Sequence, residues 1–154
     1  MLKKMSSERA SQVQEHLKKL GVGEGIAFKF GGRVGSSMPS RQLLHLARSK
    51  GPIVQTTVAE ELFRFLWECE KEISQTEILV EIGVLSGLDG KEVRQALKEG
   101  RGVEEVEKEQ REAKEDGLDG VPHYVVGGKI HLEGAVDLGD FFNALVKAKE
   151  SNGE

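Results

Sequence analysis

Gly120-Val121-Pro122-His123-Tyr124-Val125-Val126-Gly127-Gly128-Lys129-Ile130-His131-Leu132 is the stretch on which the fold turns. Before it, apolar residues recur every three or four positions, as they do along helices; within it the period drops to two. Two β-prone runs separated by Gly-Gly predict a hairpin, because both central residues of a type I′ turn need positive φ. Pro122 heads the first run, where its missing N–H demands an edge, a bulge or a cis peptide. Beyond the hairpin, Asp137 reads as the cap of a last helix whose buried face is Leu138, Phe141, Phe142, Leu145 and Ala148.

Upstream the pattern is helical. A charged helix from Ser6 to Leu20 carries the narrow stripe Val13, Leu17, Leu20 and closes at Gly21. Ile26-Ala27-Phe28-Lys29-Phe30 alternates briefly and predicts a short strand or extended segment, followed by the loop Gly31 to Ser37. Pro39 opens a helix that Gly51-Pro52 ends. Val54, Val58, Leu62, Phe65, Leu66, Cys69 and Ile73 then form the longest apolar stripe, expected to be one helix face with Cys69 buried in it. A helix with Ile78, Leu79, Ile82 and Leu85 stops at Gly87. Asp89-Gly90-Lys91-Glu92 follows as a capping box, in which Glu92 reaches back; Val93, Ala96 and Leu97 bury the helix it starts, and Gly100 ends it. From Arg101 to Asp116 charged residues dominate and only Val103, Val106 and Ala113 face a core, so a solvated helix is expected.

The chain has 154 residues, 38% hydrophobic and 31% charged, which fits one soluble domain over 1–154. No apolar run approaches the ~18 residues of a membrane span, and Met1 to Ser6 lacks the apolar core of a secretory signal. No membrane partner and a cytoplasmic location are therefore expected. A net charge of −4, with only six Phe, one Tyr and one Trp, argues against a nucleic-acid partner. The single cysteine, Cys69, excludes an internal disulfide, a CxxC pair and a cysteine-rich zinc site.

Other chemistry is sparse. The Gly31-Gly32-Arg33-Val34-Gly35-Ser36-Ser37 loop fits neither GxxxxGK[ST] nor GxGxxG, and a turn explains it better than a phosphate cradle. His123 and His131 flank the hairpin turn without a third ligand at zinc spacing, so no metal is expected. A buried Cys69 behaves as a small hydrophobe rather than a nucleophile.

The segment Gly120 to Lys129, the downstream Glu133-Gly134-Ala135, the loop from Phe28-Lys29-Phe30 to Ser36-Ser37 and the helix Arg41-Gln42-Leu43-Leu44-His45 together resemble the DsbA-like thioredoxin-fold family. The likeness runs from about Gly23 to Ala148 and is closest to the FrnE type, related to 2-hydroxychromene-2-carboxylate isomerases and kappa-class glutathione transferases. The resemblance implies a cis Val121-Pro122 bond beside an active site, with Val121 pairing to substrate backbone. It also implies that Ser36-Ser37 and Arg41-Gln42 stand where the family carries Asn-Thr and His-Arg. Val121, Pro122, Ser36, Ser37 and Arg41 are thus the expected substrate-binding residues, and no catalytic residue is assigned. The family opens with a β-α-β unit carrying CxxC, or the isomerase's serine, at a helix N-terminus; this chain reads as starting after it.

The expected fold is therefore α+β and predominantly helical, a truncated DsbA-like thioredoxin fold. It would comprise an N-terminal helix (1–22), a helical insertion (23–119), and one antiparallel hairpin with a C-terminal helix (120–149). The expected function is a protein disulfide oxidoreductase family member, redox-inactive as this chain and binding a peptide or thiol. No bound cofactor is expected. One alternative is activity assisted by glutathione docking at Val121-Pro122; another is a non-catalytic interaction module using the acidic helix from Glu104 to Glu115. The open edge of the Pro122 strand would be filled by a homodimer or, less favoured, by Ile26 to Phe30.

Overall fold

The structure, a computed structural model, describes residues 7–118 and 120–151, without the side chain of Ser7. Ser6, the expected start of the first helix, lies outside the described residues. The chain divides into two compact units, 1–106 and 107–154. Among the described residues there are seven helices and one two-stranded antiparallel sheet, and the predominantly helical α+β class holds.

The first unit is built on α1 (Ser7–Gly23), α2 (Met38–Arg48), α3 (Pro52–Trp67), α4 (Thr76–Leu85) and α5 (Gly90–Glu99). Leu43, Val58, Leu79, Ile82 and Val93, one or two from each of α2 to α5, are its largest fully buried side chains. Gly51 (φ 116°) takes a backbone conformation that suits glycine and hands over to Pro52 at the first turn of α3, where the absent N–H is harmless. Pro52 therefore starts α3 rather than ending α2. The side chain of Asp89 accepts from the amides of Lys91 (2.7 Å) and Glu92 (3.0 Å), which caps α5. The capping box is incomplete: the Glu92 carboxylate pairs with Lys50 at 2.9 Å, across to the end of α2. Arg94 of α5 holds Glu77 of α4 through both guanidinium nitrogens.

Two expectations fail here for traceable reasons. The long apolar stripe is not one helix. α3 ends at Trp67, and the chain then folds back, with Glu70 at φ 54° and the Lys71 amide donating to the Phe65 carbonyl at 2.9 Å. Ile73 still packs on the core, but from outside any helix. Ile26 to Phe30 is extended yet belongs to no strand, because other groups take its amides. Lys29 donates to the Trp67 carbonyl (2.7 Å), and Ala27 and Gly31 donate to the carboxylates of Glu68 and Glu70. Phe28 and Phe30, two residues apart and so on one side, pack edge-on against Trp67 with ring centroids at 6.2 and 5.8 Å.

α6 (Val103–Glu115) begins in the first unit and ends in the second, with Val106 buried and its charged residues exposed. The second unit holds β1 (His123–Val126), β2 (Ile130–Glu133) and α7 (Leu138–Ser151). β1 and β2 pair in the register Tyr124↔Leu132 and Val126↔Ile130, leaving Lys129 in the turn beside Gly127 and Gly128, both at positive φ. Asp137 caps α7 by accepting from the Asp140 amide at 2.9 Å. Val126, Ala144 and Ala148 form the core of this unit, with Ile130 and Leu132 against it. The expected buried face of α7 is corrected: Leu138, Phe142 and Leu145 lie exposed, because the sheet is met by the neighbouring face that carries Phe141, Ala144 and Ala148.

Candidate functional site

Alternation along β1 determines what Val121-Pro122 can offer. The Pro122 carbonyl accepts from the Gly134 amide at 2.8 Å, one pair beyond His123↔Glu133. In an antiparallel ladder the backbone groups of alternate residues face the partner strand. Pro122, Tyr124 and Val126 therefore turn their polar backbone toward β2, and Val121, His123 and Val125 turn theirs away from it. The Val121-Pro122 bond is cis, and Val121 is 94% exposed. An extended peptide laid along Val121 would find one N–H and one C=O presented outward, the main-chain contacts of strand addition.

On the face opposite α7, the Nε2 of His123 and the Nδ1 of His131 lie 3.0 Å apart, so one ring donates and the other accepts. That bond uses a lone pair that a metal would require. Among the described residues no group of three or more His, Cys, Asp or Glu side chains gathers as a cation site.

Ser36, Ser37 and Arg41 belong to the first unit, within one turn of the start of α2, and all three are exposed. The Ser36 hydroxyl accepts from the Met38 amide (3.2 Å), while the Ser37 carbonyl accepts from the Arg41 amide (3.1 Å) and the Ser40 hydroxyl (3.0 Å). The Ser37 side chain makes no capping bond. Gln42 turns inward and donates to the Arg101 carbonyl at 3.2 Å, bracing α2 against the end of α5. The structure thus gathers the expected residues as two groups, one in each unit.

The glycines before Ser36 have a packing explanation. A Cβ on Gly35 would lie 2.2 Å from the Ser74 hydroxyl, and one on Gly32 would lie 3.1 Å from the Glu70 backbone. The loop runs flush against residues 70–74. There Glu72 accepts from Ser74 and Gln75, bonds that hold its carboxyl below the usual carboxylate range.

Cys69 is half-buried and lies just past the C-terminal end of α3, a correction to its expected place inside a helix. The Arg64 Nη1 is 3.6 Å from its sulfur, and that guanidinium is itself held by Glu61. A helix C-terminus opposes the negative charge that a helix N-terminus would favour on a thiol.

Two apolar features were not anticipated. One is a hollow of about 410 Å³ between α3 and the extended segment, walled by Ile26, Phe28, Phe63 and Trp67 with Glu60 and Glu68 at its rim. The i, i+4 spacing of Phe63 and Trp67 was its only signal. The other is the exposed ridge of α7 formed by Leu138, Phe142 and Leu145.

The sequence matches the DSBA-like thioredoxin domain over residues 1–146. No curated protein matches it. Among solved structures it is similar to a probable DsbA oxidoreductase from Streptomyces coelicolor, at 31% identity and a TM-score of 0.85, over 95% of this chain. The match covers 63% of that relative, so the chain spans less than two thirds of its length. No described helix is long and apolar enough to cross a membrane. With nearly the whole sequence inside the family match and a solved relative of the same architecture, the chain belongs to the family of DSBA-like thioredoxin domains.

Proposed function

We propose that this chain is a substrate-binding member of the protein disulfide oxidoreductase family, of the FrnE type, which performs no thiol-disulfide exchange by itself. A peptide or thiol substrate docks at Val121-Pro122, with Ser36, Ser37 and Arg41 as further contacts, in the cytoplasm. The observation that carries the inactive reading is the state of the one thiol. Exchange requires an attacking thiolate with access to a disulfide, and Cys69 is half-buried at the wrong end of a helix.

The test is insulin reduction by the purified 154-residue chain, with dithiothreitol alone and then with glutathione. No acceleration is expected in either case. Turnover that Cys69→Ser abolishes would overturn the reading, and turnover that needs glutathione would replace it with a glutathione-assisted enzyme. Docking is read separately: titration with an unstructured peptide should shift the amide resonance of Val121 before those of α2 to α5. A peptide that leaves Val121 unmoved removes the docking half.

A further inference from the structure

We propose that β1 is the interface between two copies of this chain, paired antiparallel about a twofold axis at Tyr124. The backbone groups of His123 and Val125 point away from β2, and no second strand meets them among the described residues. Val125 is 50% exposed. Edges that must stay unpaired are usually guarded by a charged side chain, a bulge or a proline within the strand. The two edges of this hairpin differ in that respect. β2 is guarded by Glu133, with Lys129 just before it; β1, His123-Tyr124-Val125-Val126, carries no Lys, Arg, Asp or Glu, and Pro122 stands outside it.

Self-pairing suits that neutral edge. About an axis at Tyr124, His123 of one copy faces Val125 of the other, and the same pair recurs by symmetry, so the interface is isologous and closes. No like charges oppose each other. Each outward N–H of His123 and Val125 finds the carbonyl opposite it. Because residues directly across a ladder share a face, both α7 helices come to lie on the same side of the enlarged sheet. There the ridge of Leu138, Phe142 and Leu145, exposed in the single copy, is the apolar surface available for burial. A hairpin with a core of only Val126, Ala144 and Ala148 has most to gain from such cover.

The experiment is sedimentation of the 154-residue chain across a dilution series, with hydrogen exchange at both ends of that series. A dimer that dissociates on dilution is expected, with the amides of His123 and Val125 protected when concentrated and exchanging freely when dilute. Val125→Lys places a guard charge on the edge and should be monomeric wherever the wild type is dimeric, with an unchanged far-ultraviolet spectrum. A monomer at every concentration, or a dimer in which those two amides exchange freely, overturns the proposal. So does a dimer that persists in a folded Val125→Lys. None of these results touches insulin reduction or the Val121 titration, so the interface and the docking site stand or fall separately.

Discussion

Gly83 shows how tightly the first unit is assembled. A Cβ there would lie 2.8 Å from a methyl of Val93 and 3.6 Å from one of Leu43, so α4 approaches α5 at a distance only glycine allows. Alanine in a helix interior is ordinarily favoured over glycine by about 1 kcal/mol. Overpacking a buried, branched neighbour costs ~1–3 kcal/mol, and Val93 is fully buried. We therefore expect Gly83→Ala to destabilise in urea melts, by less than Leu79→Ala, whose fully buried side chain should cost ~2–5 kcal/mol. A stabilised Gly83→Ala would contradict the packing of α4 on α5. Single residues were also where sequence reasoning was least secure. Cys69 fell on the period of the α3 stripe, but the spacing of apolar residues cannot register that the backbone turns back at Glu70 while Ile73 remains on the core. Burial kept the pattern going after the helix had stopped.

At the level of elements, caps were legible and partners were not. Asp89 was readable as a cap because its chemistry is local, within three residues. Glu92 was misassigned because Lys50, its actual partner, is distant in sequence. Two amides, Glu92 first and then Lys91, hold the Asp89 carboxyl below its ordinary value. A carboxyl with a depressed folded pKa stabilises the fold above its unfolded pKa, about 3.9, and that contribution is lost as pH falls through the lower folded value. Wild type should therefore exceed Asp89→Ala in stability at neutral pH, and the gap should close in urea melts carried below pH ~3. A gap that stays constant through the acid range would show that Asp89 does not titrate as a cap. The hairpin was readable for the same local reason, its two glycines. The orientation of α7 was not: both of its flanks are apolar, and only the sheet decides which is covered.

For the molecule as a whole, helical content and the order of elements were visible in sequence, as was the resemblance around Gly120 to Lys129. The division near Val106 was not, because α6 continues through it without a glycine, a proline or any change of period. The two units differ in how much they bury. Nine residues form the buried cluster of the first and three that of the second. Opening free energies follow such differences. In dilute solution the amides of Leu62 and Ile82 should be among the slowest to exchange, and those of Tyr124 and Leu132 should exchange well before them; equal rates would mean that the units open together. The ring cluster at the end of α3 makes the same contrast visible by light. Trp67 is the only indole in the chain and Tyr124 the only phenol, the one edge-on to Phe28 and Phe30, the other edge-on to Phe141. Each unit therefore has its own chromophore. Indole emission follows the loosening of the helices, phenol absorbance follows the hairpin, and no added dye is needed to tell them apart.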